Sequence, residues 1–280
     1  MSSRKFAVIG HPIGHTMSPF IHERLFALAG TDGEYTVIDV PPSELPVKIK
    51  ELDALSGYNI TIPNKQSIIP FLDSLDEKAE LYGSVNTVKN GETRRGYTTD
   101  PDGFLKALRY GGIPFRGKVA ILGCGGVART FVFEAALAGC DITLAVRQED
   151  IPVQTALRDE LISKVPGAVI KCCTIPQLSG DHDLLVNATP IGMYPKTDAM
   201  VVDKKVIERC ENVFDAVYNP LKTKLVLCAE ANGSRAVGGM SMLVWQAAVS
   251  HEIWDGSEYS KEDIDELVKD AAKEQTRKFG

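Results

Sequence analysis

No apolar run in this 280-residue chain approaches the roughly 20 residues that a membrane-crossing helix needs, so no membrane span is expected. There is no basic block either. The 31 Lys and Arg stand against 37 Asp and Glu for a net charge of −6, which argues against a nucleic-acid or anionic-membrane partner. An anionic ligand must then be held by local donors, not by the field of the whole molecule. The six cysteines (124, 140, 172, 173, 210 and 228) contain no C-x-x-C spacing and read as reduced cytosolic thiols, mostly core filler. His11, His15 and His22 have no acid at ligand spacing, so no metal site is expected and the three read as solvated or structural. Internal repeats and low-complexity tracts are missing. The first apolar run, Phe6-Ala7-Val8-Ile9, is broken at Gly10, too short for a signal peptide, and a cytoplasmic location is expected.

What the chain does contain is an alternation of short strand and helix patterns. Strands are expected at 5–10, 33–40 and 58–62, and helices at 19–29, 43–55 and 70–82. Ser18 reads as the N-cap of the first helix, with Pro19 in its first turn. A hairpin is expected from 84–89 and 93–98 across Asn90-Gly91. That is an α/β domain with a mixed sheet. A helix at 102–110 leads to Gly111-Gly112, the expected hinge. Strands at 118–122, 141–146, 169–173, 184–188 and 212–216, with a helix at 127–138, then predict a doubly wound parallel sheet whose ligand lies beyond its carboxyl edge. Helices at 241–252 and 261–273 close the chain. The expected division is a substrate domain over 1–103, a Rossmann-like dinucleotide domain over 104–238, and C-terminal helices over 239–280 packing back towards the first domain.

Gly123-Cys124-Gly125-Gly126-Val127-Ala128 follows Val119-Ala120-Ile121-Leu122 and opens a helical pattern, the context in which a glycine cluster binds a dinucleotide. A tight turn would use the same glycines. Ala128 is small where helix and sheet must approach, and the helix start offers N–H groups and partial positive charge to a pyrophosphate. Cys124 reads as a small spacer. At the next strand tip Val146 offers no carboxylate to a ribose hydroxyl, whereas Arg147 offers a guanidinium to a 2′-phosphate. That favours NADP, and Glu149 leaves NAD open.

Upstream, Lys65 follows Asn59-Ile60-Thr61-Ile62-Pro63-Asn64, and Asp100 follows Gly96-Tyr97-Thr98-Thr99. A lysine and a carboxylate ahead of a nucleotide turn point to redox chemistry on a polar substrate. Asn59, Thr61, Asn86 and Thr87 gather at strand ends, where polar groups favour a site. Thr16 and Ser18 stand in a strand-to-helix loop and could hold a substrate carboxylate with no charged side chain, although Ser18 also serves as a cap.

Taken together, these motifs resemble the shikimate and quinate dehydrogenases. The resemblance rests on Gly10-His11-Pro12-Ile13 with Ser18-Pro19, the Asn59 to Lys65 run, Gly83-Ser84-Val85-Asn86-Thr87, Gly96 with Thr99-Asp100 and Gly103, and the Gly123 turn. It continues through Asn187-Ala188-Thr189-Pro190-Ile191-Gly192-Met193, Asp215-Ala216-Val217-Tyr218-Asn219-Pro220, and Gly239 with Met242-Leu243-Val244 and Gln246. The match runs in family order from residue 10 to residue 246. It implies reversible NADPH-dependent reduction of 3-dehydroshikimate to shikimate in aromatic amino-acid biosynthesis. It carries the catalytic lysine onto Lys65 and its acidic partner onto Asp100. Carboxylate binding falls to Thr16 and Ser18, and ring-hydroxyl binding to Asn59, Thr61, Asn86, Asp100, Tyr218 and Gln246. Cofactor contacts fall to Gly123, Cys124, Gly125, Gly126, Val127 and Ala128, to Arg147, and to Asn187, Thr189, Ala216 and Gly239.

Three positions depart from the family pattern. Thr16 replaces the first of two usual serines, which bears on the choice between shikimate and quinate. Thr98 stands at a usual Asn. Val146-Arg147-Gln148 replaces Asn-Arg-Thr, keeping the arginine but losing two hydrogen-bonding neighbours. A quinate or dual-specificity dehydrogenase using NAD or NADP is therefore the nearer alternative, with a folate dehydrogenase or a non-catalytic ligand sensor of the same fold as distant ones. The expected site lies in the cleft between the domains, and oligomeric state is left open, a homodimer included.

Overall fold

A computed structural model of the chain describes residues 4–14 and 16–279, so His15 lies outside the described residues. The chain divides into two compact units, Met1–Gly103 with Val244–Ala271 and Phe104–Leu243 with Ala272–Gly280.

The first unit is built on a six-stranded mixed sheet in the order β2-β1-β3-β5-β6-β4. Its elements are β1 (Arg4–Gly10), α1 (Ser18–Ala29), β2 (Gly33–Asp39), α2 (Leu45–Leu52), β3 (Gly57–Ile60), β4 (Ser74–Leu75), α3 (Glu77–Tyr82), β5 (Thr87–Lys89) and β6 (Arg95–Tyr97). β1 pairs in parallel with β2 and β3, while β5 runs antiparallel to both β3 and β6. The apolar run at the start of the chain is explained by burial on both faces of β1. Ala7 and Ile9 join one core cluster with Leu45, Leu52, Tyr58 and Ile60. Phe6 and Val8, facing the other way, join a second with Phe26, Tyr35 and Trp254.

Two local expectations change. Ser18 does not cap α1: the N-cap is Met17, no side chain caps the helix, and Ser18 is its first residue. The Ser18 hydroxyl is thus not committed to the helix. The helix expected over 70–82 is a 3₁₀ turn at Ile69–Phe71, then β4, then α3. The chain straightens at β4 because Asp73 and Asp76 N–H groups donate to the Arg94 and Gly96 carbonyls, and Asp76 then caps α3 through Ala79 N–H at 2.8 Å.

α4 (Asp100–Tyr110) carries the chain from the first unit into the second, whose sheet is all parallel in the order β12-β11-β10-β7-β8-β9. The second unit comprises β7 (Lys118–Leu122), α5 (Gly126–Leu137), β8 (Asp141–Val146), α6 (Ile151–Lys164), β9 (Val169–Thr174), β10 (His182–Asn187), α7 (Lys204–Ile207), β11 (Cys210–Asp215), α8 (Lys224–Ala231) and β12 (Arg235–Gly238). Counted from the first strand of this unit, the order is 3-2-1-4-5-6, the doubly wound arrangement whose direction reverses between β7 and β10. Ligands of such sheets bind beyond the strand carboxyl ends at that reversal.

β12 and α8 were not expected from the sequence. Gly111 and Gly112, the expected hinge, end α4 inside the second unit: Gly112 has φ +64° and its carbonyl accepts from Arg235 at 2.9 Å. α9 (Met240–Asp255) and α10 (Lys261–Phe279) end the described chain, and residues 244–271 group with the first unit. Among the described residues no helix is long and apolar enough to cross a membrane.

Candidate active site

In the first unit the loops after β1 and β3 are laced together. Thr61 N–H donates to the Ile9 carbonyl at 2.9 Å and His11 N–H to the Ile62 carbonyl at 3.0 Å. Gly10 is required at that crossing, because a Cβ there would lie 2.4 Å from Thr61 Cγ2 and 2.9 Å from the Ile62 carbonyl oxygen. This lacing gathers Thr16, Ser18, Thr61 and Lys65 at the carboxyl end of the sheet.

Lys65 Nζ donates to Asp100 Oδ2 at 2.6 Å, and the two residues are 8% and 4% exposed. An ammonium has three hydrogens, and among the described residues Asp100 is the only acceptor this one meets. Two hydrogens therefore face other company. Taking both charges out of water is costly, so such a pair is weak as a stabilising device, and its retention calls for a chemical use. Asp100 opens α4, where a carboxylate is favoured by the helix dipole. Its Oδ1 accepts from Asn86 Nδ2 at 3.0 Å. Asn86 in turn lies 3.2 Å from Gln246 Oε1, and its own oxygen accepts from Thr99 N–H at 2.8 Å. Lys65, Asp100, Asn86 and Gln246 thus form one connected polar chain.

Thr16 Oγ1 donates to Ser18 Oγ at 3.1 Å and accepts from Ser18 N–H at the same distance. The two hydroxyls expected to hold a carboxylate therefore stand side by side, with Thr16 partly open to solvent. Asn59 is placed differently from a ready ligand donor. Its oxygen accepts from the Tyr35 hydroxyl at 2.7 Å, while its amide donates to Ser250 Oγ at 2.9 Å and Thr87 Oγ1 at 3.0 Å. Every polar group of Asn59 is already engaged by protein. Burial pushes the Tyr35 phenol well above the ordinary range, with the Ser18 hydroxyl pulling the other way. His22, the histidine inside this layer, stacks on Tyr35 with ring centroids 4.0 Å apart. Burial, then the neighbouring His251, holds His22 well below its usual range, which keeps it neutral and structural.

In the second unit Gly123 turns the chain out of β7 with φ +102°, and a Cβ there would meet Thr189 Cγ2 at 3.0 Å and the Ala188 carbonyl oxygen at 3.2 Å. Gly125 precedes α5 in extended conformation, and nothing stands within 4 Å of where its Cβ would be. No side chain caps α5, so its first N–H groups are unspoken for by any capping residue, while Ala128 is fully buried against the sheet. An open approach over glycine, free amides and a helix dipole fit a dinucleotide pyrophosphate. Burial pushes the Cys124 thiol up, which suits a spacer and not a nucleophile.

Across the reversal point, Asn187 ends β10 and its oxygen accepts from Thr189 N–H at 3.0 Å and Thr189 Oγ1 at 2.7 Å. Ala216 N–H donates to the Asn187 carbonyl, and Gly239 lies so close to Ala216 that a Cβ would sit 2.2 Å from its carbonyl oxygen. Asn187, Thr189, Ala216 and Gly239 are thus brought together, and Tyr218 follows on the segment after β11. The residue that organises them carries no role in the sequence reading. Asp215 is fully buried and accepts from Asn187 Nδ2 at 2.9 Å, Val217 N–H at 3.0 Å and Thr223 Oγ1 at 2.5 Å. Burial pushes its carboxyl up to about 6 against the pull of those three donors. Nothing in the residues beside it sets it apart in the sequence from a surface acid.

Residues 8–88 match the family model described as the shikimate dehydrogenase substrate binding domain. The chain is 36% identical over 279 residues to the shikimate dehydrogenase (NADP(+)) of Moorella thermoacetica, covering 95% of this chain and 92% of that protein. It is 38% identical over 270 residues to the shikimate dehydrogenase (NADP(+)) of Methanopyrus kandleri, covering 93% of each. The shikimate 5-dehydrogenase of Thermus thermophilus, solved in complex with NADP(H) and shikimate, aligns with a TM-score of 0.85 at 32% identity over 96% of this chain and 99% of that one.

Proposed function

This chain belongs to the shikimate dehydrogenase family, and from that premise we propose that it catalyses the reversible NADP-dependent interconversion of shikimate and 3-dehydroshikimate. The observation that carries the reading is the buried Lys65–Asp100 pair, with two ammonium hydrogens left for a ligand oxygen. The reduced nicotinamide supplies the hydride when bound. As charge develops on the substrate oxygen, Lys65 stabilises it and delivers the proton. Asp100 holds the ammonium in place and, with Asn86 and Gln246, accepts and donates to ring hydroxyls. Thr16 and Ser18 take the carboxylate through paired hydroxyls, Thr61 and Tyr218 complete the polyol contacts, and Asn59 fixes Thr87 and the Asn86 backbone from behind.

For the cofactor, the amides and open face of Gly123 to Ala128 take the pyrophosphate and Arg147 takes the 2′-phosphate. Asn187, Thr189, Ala216 and Gly239 border the nicotinamide and its ribose, with Asp215 holding them. The reading brings with it a place in aromatic amino-acid biosynthesis and a reducing cytoplasmic setting, consistent with six free thiols. Steady-state kinetics with shikimate and with quinate, each with NADP+ and NAD+, test it. Turnover of shikimate with NADP+ is expected to exceed the other combinations, and no turnover of either polyol would sink the proposal.

A further inference from the structure

β8 ends at Val146 and the chain passes directly into Arg147, a 3₁₀ turn at Gln148–Asp150, and α6. The Arg147 guanidinium is not waiting empty-handed. Its Nε donates to Asp150 Oδ2 at 2.8 Å and its Nη2 to Asp150 Oδ1 at 3.2 Å, a two-pronged pairing, while Nη1 lies 3.2 Å from Glu149 Oε1. The backbone closes the same turn, with Asp150 N–H donating to the Arg147 carbonyl at 3.0 Å. Asp150 is also the residue before α6, where an aspartate ordinarily caps the helix, yet its side chain caps nothing and turns back to the arginine. Gly123 N–H donates to the Ala145 carbonyl at 2.9 Å, and Leu122 pairs with Ala145, which sets the tip of β8 beside the glycine turn.

A strand tip of this kind carries either an acid for a ribose hydroxyl or an arginine for a 2′-phosphate. Here both are present and bonded to each other, and two carboxylates against one guanidinium leave the tip with net negative charge. A 2′-phosphate must displace Asp150 from Arg147 and then sit beside two carboxylates, whereas a plain ribose meets acceptors already in position.

We infer that Asp150, seconded by Glu149, sets cofactor selectivity in this chain as an internal anion that competes with the 2′-phosphate for Arg147 and so narrows the preference for NADP over NAD. The inference rests on the dehydrogenase reading above. Calorimetric titration of the full-length protein with NADP+ and with NAD+ tests it without reference to turnover. Asp150→Asn should tighten NADP+ about three- to tenfold and leave NAD+ within about twofold, with a smaller gain for Glu149→Gln. In the double variant Arg147→Ala with Asp150→Asn the gain should vanish, because the competitor matters only while the arginine is there. An unchanged or reduced NADP+ preference in Asp150→Asn, or a gain that survives loss of Arg147, would overturn this inference alone. Binding of neither dinucleotide by the wild type would overturn the dehydrogenase reading and this inference with it.

Discussion

The Tyr35 hydroxyl donates to the Asn59 side-chain oxygen at 2.7 Å, so the group that fixes the orientation of this asparagine comes from β2, a strand with no part in the sequence motifs. With the oxygen held, the amide must point at Thr87 and Ser250. Tyr35→Phe removes the hydroxyl and leaves a buried acceptor unsatisfied, which should lower stability by about 1–3 kcal/mol. The same change loosens Asn59, which holds Thr87 and the Asn86 backbone, so KM for shikimate should rise while kcat moves less. Urea unfolding and steady-state kinetics check both, and an unchanged unfolding midpoint would show that Tyr35 acts only as an apolar filler.

Lys65→Ala should lower kcat on the order of a hundredfold or more, with a smaller effect on KM because the hydroxyl contacts remain. It also strands Asp100 as a buried carboxylate without its cation, and removing one partner of such a pair is destabilising by about 3–5 kcal/mol. Kinetics should therefore be read at a temperature well below the variant's own melting point. A kcat within a few-fold of wild type would remove Lys65 from the chemistry.

Gly123 and Gly125 should respond in opposite ways to the same added methyl. Gly123→Ala forces an alanine to φ +102° against Thr189 and Ala188 and should cost about 1–3 kcal/mol of stability. Gly125 has φ −75° with open space around it, so Gly125→Ala should leave stability within about 0.5 kcal/mol. Its methyl would instead intrude where the pyrophosphate is expected, weakening NADP+ and NAD+ alike. Thermal melts paired with dinucleotide titrations separate the two, and unaltered binding in Gly125→Ala would place the pyrophosphate elsewhere.

Asp215 predicts a pH signature. Its folded-state carboxyl sits at about 6, above the ordinary 3.8, so between those values the folded protein holds a proton that the unfolded chain has released. Stability from this group is full below about pH 4 and is lost as pH rises through 6. The size is about 3 kcal/mol at 1.36 kcal/mol per pKa unit. Asp215→Asn abolishes that titration, so wild type should lose about 3 kcal/mol relative to the variant between pH 4 and pH 7 and then run level with it. Urea unfolding across that range gives the difference directly, and a pH-independent gap would contradict the assignment.

The parallel sheet of the second unit was plain in the sequence because its central strands are largely buried on both faces and read as apolar runs, and β7 and β8 fall at the expected residues. β4 was hidden because two residues cannot display a two-residue period, and β12 because Arg235–Gly238 is a short edge strand with two apolar side chains. Lys65, Asp100 and the glycine turn were legible through motif and order. Asp215 and Tyr35 were not, since nothing local distinguishes a fully buried acid from a surface one or a bonded phenol from core filler. Ser18 misled for a related reason: a serine before Pro19 has the composition of a cap, but the backbone makes Met17 the N-cap. The inward turn of Asp150 likewise depends on a backbone path that composition alone does not reveal.

The first unit is discontinuous: its sheet is complete by Gly103, yet the segment Val244–Ala271 that covers it comes roughly 140 residues later. Trp254 from that segment donates to the Val88 carbonyl and lies where a Cβ on Gly57 would be, and Ser250 bonds Asn59. A ribosome adding about 5–20 residues per second emits those closing residues roughly 7–30 s after the sheet has emerged. For that interval the nascent sheet presents Phe6, Val8 and Tyr35 without their tryptophan. The hydrogen-bonded layer around Asn59 is thus closed only after most of the second unit has been made.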